Sequence, residues 1–403
     1  MSSAVAVTGI GIVSQLGIGR AAFWQALSDG RSGITPIEGL AGPAGLPRIA
    51  ASVGEFARDL ITSPQYRRMD RLSRMAVAAS RLALADAAVA LDAVDGARVG
   101  VVFGTALGNT EESAAHLDRI FTRGPQAASP MVFPNLVMNA PAGYVAMEFG
   151  FTGVNFTVAQ AETSGEHAVA LGCDMVQSGR ADLVLAGGGD ELSPILLHGY
   201  RRARALAGQR GGREWCSPYD QARNGIVLGE GTAMLVLEPL ARACARGATI
   251  LATIAGTARF ALPAPRYDWP VRVDAGLEPI RALLEDAVVD LICGSANSSR
   301  RLDRCELTLF SRALGARAGN ASLTSIKGAI GEFGAAGALT LAAACLGVHE
   351  QAVPPLCALQ SPEPGTDFRF VAPRAVTSRI DRALVCGIAR GGAAVALLLR
   401  GSH

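Results

Sequence analysis

Residues 154–172 read VNFTVAQAETSGEHAVALG. The first six, alternating and rich in β-branched side chains, predict a buried strand. Gln160 to Thr163 then make a sharp elbow, and 162–179 predicts a helix of small residues, apolar nearly all round and therefore buried. An elbow between a strand and a helix lifts one side chain to the mouth of the helix N-terminus, where a nucleophile usually stands. Here that side chain is Glu162.

The same grammar extends in both directions. AVAVTGIGIV (4–13), VGVVFGTA (99–106), ADLVLAGGG (181–189) and TAMLVLEPL (232–240) predict further buried strands. Residues 69–91 space their apolar side chains as one helical face, with Arg and Asp opposite. A second set follows: DLICGSA, ASLTSIKG, an Ala-rich helix over 334–348 and the closing pair ALVCGIARGGAAVALLLR. Strands alternating with helices predict an α/β fold of layered sheets and helices. The halves are expected at 1–250 and 251–400, with Pro and aromatic residues clustered in the linker zone 245–271. The terminal RGSH looks like the start of a purification tag, so 401–403 are set aside.

Composition excludes several classes. With 403 residues, half of them hydrophobic and 18% charged, the chain can bury a large core. A net charge of +2 argues against nucleic acid or an acidic membrane surface as partner. No apolar run is long enough to span a bilayer and the opening residues lack a basic, cleavable leader, so a cytoplasmic location is expected. Eight cysteines without a CxxC pair and five scattered histidines give no metal site. The cysteines are expected to be buried thiols acting as small apolar groups. GIGIVSQLG (9–17) superficially resembles a dinucleotide loop but lacks the GxGxxG spacing and the acidic residue that would follow. Among 37 basic residues Lys327 is the only lysine, which invites a specific role for it.

Together these segments resemble a β-ketoacyl-(acyl carrier protein) synthase of the thiolase fold, over nearly the whole chain. VTGIGIVSQLGIGRAAFWQALSDGRSGI is similar to the family's opening strand and helix, and SPMVFPNLVMNAPAGYVAMEFGFTGVNFTV to the stretch before its nucleophile. SPYDQARNGIVLGEGTAMLVLEPLARACARGATI is a specific match to the end of its first half. The resemblance implies a duplicated α-β-α-β-α architecture. At the active-site motifs the chain departs. The Cys-(Ser/Thr)-Ser-Gly nucleophile motif reads Glu162-Thr163-Ser164-Gly165. The His-Gly-Thr-x-Thr motif and its acidic followers read SANSSRRLDRCE, placing Ser295 at the first catalytic histidine. Asn297 and Ser299 then stand at the two threonines that face the pantetheine arm, and Asp303 and Glu306 at the acidic positions. Lys-x-x-x-Gly-His becomes KGAIGEFGAAG, with Lys327 kept and Glu332 at the second histidine. The Gly-Phe-Gly-Gly gate becomes ARGGAA, with Arg390 in place of the gating phenylalanine.

Claisen condensation needs a thiolate to hold the acyl chain and two imidazoles to stabilise the enolate oxyanion. A carboxylate cannot store an acyl group, since the product would be a labile mixed anhydride, and without the histidine pair malonyl decarboxylation also loses its electrophilic support. No remaining cysteine or histidine falls at a motif position, and His167 reads as a core histidine. The economical reading is that Glu162 plugs the elbow, where N–H groups and the helix dipole favour an anion. Lys327 is its expected counter-charge, with Glu332 and Glu306 competing, so the former site should be filled and polar, without an acyl pocket open from this side. Family members that have lost the nucleophile are similar to chain-length factors. That resemblance implies a heterodimer with an active ketosynthase, paired through about residues 103–165, an acyl carrier protein as further partner, and a polyketide or polyene tunnel that this chain helps to shape around SPMVFPNLVMN. Met131, Phe133 and Leu136 are the tunnel or interface candidates, with ordinary core packing as their other reading. No cofactor is expected on this chain, the carrier's phosphopantetheine reaching the partner subunit. Two other readings stay open: an acyltransferase or hydrolase using Glu162 as base, and a homodimeric scaffold for acyl carriers.

Overall fold

The structure, a computed structural model, describes residues 4–37, 48–56, 58–62, 64–285 and 287–401. Of the tag-like tail, residues 402 and 403 lie outside the described residues.

Among the described residues the main sheet has eleven strands, ten in a continuous path and a short one, Gly17–Ile18, paired beside Val13 and Ser14. The ten are β1 (Val5–Ser14), β2 (Val99–Gly104), β3 (Asn155–Val158), β4 (Leu183–Asp190), β5 (Gly231–Pro239), β6 (Ala252–Ala261), β7 (Leu291–Cys293), β8 (Ser322–Thr324), β9 (Arg382–Ile388) and β10 (Ala393–Arg400). Their spatial order is β8-β7-β9-β10-β6-β1-β5-β4-β2-β3. Reading outward from the middle, each half repeats one topology, every strand of the second half standing five places after its counterpart in the first. The pairing senses repeat too: β2 runs parallel to β3 and β4, and β7 parallel to β8 and β9. The remaining pairs within each half are antiparallel. A short antiparallel ladder, Val5–Val7 against Ala252–Ile254, joins the halves.

Six helices complete the layers: α1 (Arg71–Asp86), α2 (Thr110–Arg123), α3 (Ser164–Gln177), α4 (Asp274–Leu284), α5 (Arg300–Leu314) and α6 (Ala336–Glu350). Helices α3 and α6 pack against each other and against strands of the sheet, α3 on β2 and β4, α6 on β4, β5 and β9. This contact is close because it is glycine-lined: a Cβ on Gly165 would lie 2.5 Å from the Ala338 nitrogen. From Ala336 to Val348 every residue of α6 is buried, as a helix without a polar face must be. Helix α1 covers β1 and β5 on the outer side, Asp70 capping it by accepting from the Ser73 N–H at 2.8 Å. It ends at Asp86, short of the expected 91, where Ala88 turns left-handed (φ 50°). Helices α4 and α5 pack on each other, with α4 also against β6. The result is the layered, duplicated α/β architecture expected of a thiolase fold.

One strand differs from its expectation. Residues 154–159 are not buried: β3 is the free end of the sheet, with Asn155 and Phe156 exposed. Its β-branched and aromatic pattern is that of a strand covered on both sides, and among the described residues no strand pairs with its outer edge.

Candidate functional site

The strand β3 delivers the chain into the elbow as anticipated. Ala161 takes a left-handed conformation (φ 48°), a strained choice for a residue with a Cβ. Ser164 holds the turn, donating to the Ala161 carbonyl at 2.8 Å and accepting from the Gln160 N–H at 2.9 Å. Glu162 is thereby turned inward and buried, at the threshold of α3.

Its partner is Arg390, and the expected pairing with Lys327 does not form. The Arg390 Nη1 lies 2.8 Å from Glu162 Oε1, and the Arg390 backbone N–H donates to Oε2 at 3.0 Å. The loop between β9 and β10 brings that residue over the elbow, which spacing along the chain could not foretell. The Arg390 guanidinium also stacks on Trp269 and Tyr200, at 4.6 and 5.1 Å from the ring centres. Burial, reinforced by the Glu162 charge, pushes the Tyr200 hydroxyl up to about 12.

Lys327 is committed elsewhere. Its Nζ lies 2.9 Å from both oxygens of Glu332, each residue about 1% exposed, and Asn297 Nδ2 donates to Glu332 Oε2. Burial works against the ammonium, but Glu332, aided by Glu166 and Glu162, holds Lys327 above its ordinary value. Burial pushes the Glu332 carboxyl up, with Lys327 pulling the other way. Glu332 lies five positions after Lys327, and the turn at Gly331 (φ 72°) folds one back on the other.

The loop that carries Ser295 and Asn297 is held just as tightly. Glu306 accepts from the Ser295 and Ala296 N–H groups at 2.6 and 2.8 Å and from the Tyr219 hydroxyl at 2.8 Å. Asp303 accepts from the Asn297 and Tyr219 N–H groups and faces Arg223 at 3.3 Å. Burial pushes Asp303 up to about 7 against the pull of Arg223. The Ser295 hydroxyl accepts from the Ile388 N–H at 3.2 Å, so it is spent on structure. Glu162, Ser295, Asn297, Lys327, Glu332 and Arg390 are thus gathered as a network of satisfied pairs.

Two features were missed by sequence reasoning. Glu166, one turn beyond the elbow, is fully buried with its Oε2 unpartnered, lodged against Gly337 and Gly387. Burial pushes it up to about 7, Lys327 opposing. A lone carboxylate on an otherwise apolar helix face was the available signal. The second is a cleft of about 1510 Å³ that opens above the elbow, with Glu162, Arg390 and Ser299 on its lining. The site is filled at its floor, as expected, but open above it, contrary to the expectation of no pocket on this side. The plug consists of two side chains only, and Gly391 beside Arg390 adds no bulk.

Other expected residues fall away from the floor. Met131 and Phe133 are 62% and 64% exposed and Leu136 half-buried, so core packing does not describe the first two. His167 is half-buried and rests its Nδ1 against the Thr163 carbonyl at 3.1 Å. Six of the eight cysteines are buried, Cys357 is half-buried and Cys244 exposed. No group of side chains among the described residues could hold a metal ion.

A strained elbow feeding a central helix, within a duplicated layered fold, defines a protein of the thiolase-fold class. Comparison with known proteins narrows this. The β-ketoacyl synthase N-terminal domain matches residues 2–243 and the C-terminal domain residues 280–360. The chain belongs to the β-ketoacyl synthase family. It is 33% identical, over 96% of its length and 95% of the relative's, to the tetracenomycin polyketide synthase ketoacyl synthase alpha subunit of Streptomyces glaucescens. It is 30% identical to 3-oxoacyl-(acyl-carrier-protein) synthase 2 of Coxiella burnetii, over 98% of each chain. Among solved structures, the ishigamide ketosynthase/chain length factor matches with a TM-score of 0.91 and 27% identity, covering both chains fully. A type II polyketide synthase acyl carrier protein in complex with its ketosynthase, AntDE:AntF, gives a TM-score of 0.91 and 25% identity over the same extent.

Proposed function

We propose that this chain is a non-catalytic ketosynthase-like subunit, a chain-length factor, that pairs with an active ketosynthase in a type II polyketide or polyene synthase of the cytoplasm. The observation that carries the reading is the state of the elbow. A carboxylate locked to Arg390 stands where a thiolate would carry the acyl chain, and Lys327–Glu332 occupies the place of an imidazole. Among the described residues no imidazole hydrogen-bonds to any of these four, and no thiol hydrogen-bonds to any of their side chains. The buried Cys216 thiol, which donates to the Lys327 carbonyl at 3.3 Å, is pushed up by its burial and is no nucleophile.

The free edge supports pairing. Among the described residues, eight of the fourteen exposed large hydrophobic side chains fall between Leu107 and Phe156, Phe121, Met131, Phe133 and Met147 among them. Such a flank beside an unpaired strand invites a second chain, which would continue the sheet and cover the apolar groups. The tunnel is then shaped where Met131, Phe133 and Leu136 meet the partner. The carrier protein delivers its phosphopantetheine arm to the partner's active site, so this chain carries no cofactor. That two similar solved structures are a ketosynthase/chain length factor and a carrier–ketosynthase complex supports both partners.

Co-expression tests the reading. The chain should purify with an intact ketosynthase at equal stoichiometry and be poorly soluble alone, whereas a stable homodimer alone would favour the scaffold reading. Because the cleft reaches down to Glu162, an enzyme using Glu162 as base is the second reading. Thioester turnover by this chain that disappears in Glu162→Ala would establish it in place of the first.

A further inference from the structure

Three buried carboxylates gather at and beneath the elbow around two cations. Glu162 is held by Arg390 at 2.8 Å and Glu332 by Lys327 at 2.9 Å. Glu166 is the third, 2% exposed, and its Oε2 has no hydrogen-bond partner among the described residues. One negative charge is therefore left over when all three are ionised. A lone carboxylate sealed from water is costly, and keeping its proton relieves the cost.

The groups around Glu166 offer no other relief. Lys327 and Glu332 face it from the segment after β8, with opposite effects, and the Cys386 thiol faces it from β9, whose one charged residue is Arg382 at its start. In α6 the ionisable side chains begin at Cys345, two turns beyond the contact at Gly337. β1, β2 and β3 carry no charged side chain. β4 ends in Asp190, bound to Thr105 and to the Ala106 and Ala335 N–H groups. β5 carries only Glu238, held by Arg246, and β10 only Arg400, its last residue. On α3 itself His167 rests on Thr163, Asp174 pairs with Arg259, and burial pushes the Cys173 thiol up.

The carboxyl is also a mechanical part. It is wedged where the two halves meet, between Gly337 of α6 and Gly387 of β9, and a Cβ on either glycine would collide with its oxygens. The Thr163 methyl abuts Gly387 at the same point, so β9 touches the elbow and the first turn of α3 together. β3, the uncovered strand, runs straight into that elbow.

We propose that Glu166 is a proton-operated clamp on the elbow: neutral, its carboxyl packs α3 onto α6 and β9, and ionised, it forces the first turn of α3 off both glycines and loosens the elbow and β3. The proton goes to solvent, and water that the closed interior excludes reaches the carboxylate. Burial pushes this carboxyl from its ordinary 4.5 up to about 7, so release grows across that range and acidification tightens the clamp. Because β3 is the edge proposed to meet the ketosynthase, affinity for the partner follows the same proton, a consequence that rests on that reading.

Amide hydrogen exchange over residues 155–170, read by mass spectrometry and corrected for the intrinsic effect of pH, tests the clamp on the chain as purified, with its partner where the two co-purify. Protection in the parent should fall as pH climbs from about 5 to about 7, by up to about tenfold per pH unit, and level off above. Glu166→Gln cannot ionise, so its protection should stay flat and at about pH 8 match the parent's at about pH 5. Should that variant fail to fold, the parent alone decides, since protection unchanged between about pH 5 and about pH 7 overturns the clamp. Surface binding to the ketosynthase adds a second arm. Glu166→Gln should bind several-fold more tightly than the parent at about pH 8 and equally at about pH 5. Both share one partner, so the partner's own titration cancels. A ratio that does not change with pH overturns the link to pairing, and parallel exchange profiles in parent and variant overturn the clamp itself. A chain that pairs with no ketosynthase overturns the reading of its function, and the exchange profile still decides the clamp.

Discussion

Strands β3 and β8 hold the same place in the two repeated halves, each at the outer end of its sheet, and they are treated differently. In β8, Ser322, Leu323 and Thr324 are all buried. The chain itself covers that edge: the Leu323 N–H donates to the Arg369 carbonyl at 2.9 Å and the Arg369 N–H to the Ala321 carbonyl at 3.1 Å. In β3, Asn155 and Phe156 are exposed and, among the described residues, the outer edge meets no strand. One half has closed its edge from within. The other keeps an edge whose composition suits an interior. The contrast continues into the segments that follow. After β8 comes Lys327, sealed against Glu332, whereas β3 leads to Glu162, whose partner Arg390 keeps about a fifth of its side chain exposed at the bottom of an open cleft.

The sealed pair gives the largest expected effect. Lys327→Met leaves the Glu332 carboxylate buried without a counter-charge and should cost about 3–5 kcal/mol in denaturant unfolding. Adding Glu332→Leu should recover most of that loss. A single variant as stable as the parent would remove the distinction between the two ion pairs.

The edges come next. Phe156→Asp places a charge on the uncovered strand, and if a partner desolvates it, affinity for the ketosynthase should fall about a hundredfold or more by size-exclusion or surface binding. Arg369→Pro deletes the N–H that covers the opposite edge, so it should lower thermal stability and leave partner affinity unchanged. Should Arg369→Pro be the variant that abolishes pairing, the free and covered edges have been assigned the wrong way round.

Glu166 offers a pH test beneath the elbow. The fold raises this carboxyl from about 4.5 to about 7, chiefly by burial, so the folded state holds the proton more tightly than the unfolded chain. Its neutral form is fully accommodated below the unfolded value. Stability therefore falls as pH climbs from about 4.5 to about 7 and levels off above that. Glu166→Gln should be more stable than the parent at pH 8 by about 2–3 kcal/mol, with the advantage vanishing near pH 4. An advantage independent of pH would show that the carboxyl does not titrate there.

The smallest effects belong to the plug. Arg390 keeps about a fifth of its side chain exposed and its backbone N–H still serves Glu162 when the side chain is changed, so Arg390→Met should cost only about 1 kcal/mol, much of it lost stacking on Trp269 and Tyr200. Glu162→Ala should leave the partner's turnover within about twofold of the parent, as the assay of the assembled complex with carrier-bound substrate would read.

Much of this molecule was legible in its sequence. Alternation and helical spacing placed the strands and the two central helices, because a chain of 403 residues with so few charges has little freedom in which faces it buries. The residues singled out along the chain also meet in part, Glu162 with Arg390 and Lys327 with Glu332 and Asn297. Three things escaped. Glu162 could not be paired correctly, since the choice between Lys327 and Arg390 depends on how the β9–β10 loop lies over the elbow. The exposure of β3 was hidden because apolar alternation looks the same whether a strand's cover comes from its own chain or from another. The cleft was invisible because its lining comes from separate stretches of sequence, none of which alone signals a concavity.

By itself, then, the sequence determined the duplicated α/β architecture and which residue types stand at the elbow and its neighbouring motifs, since these depend on local pattern and residue identity. Only the tertiary structure decided which carboxylate meets which cation, which sheet edge is left open and how wide a cleft lies above the elbow. Those outcomes rest on contacts between segments up to 228 residues apart, as Glu162 and Arg390 are, and on a low-dielectric interior in which a shift of a few ångströms selects one ion pair over another.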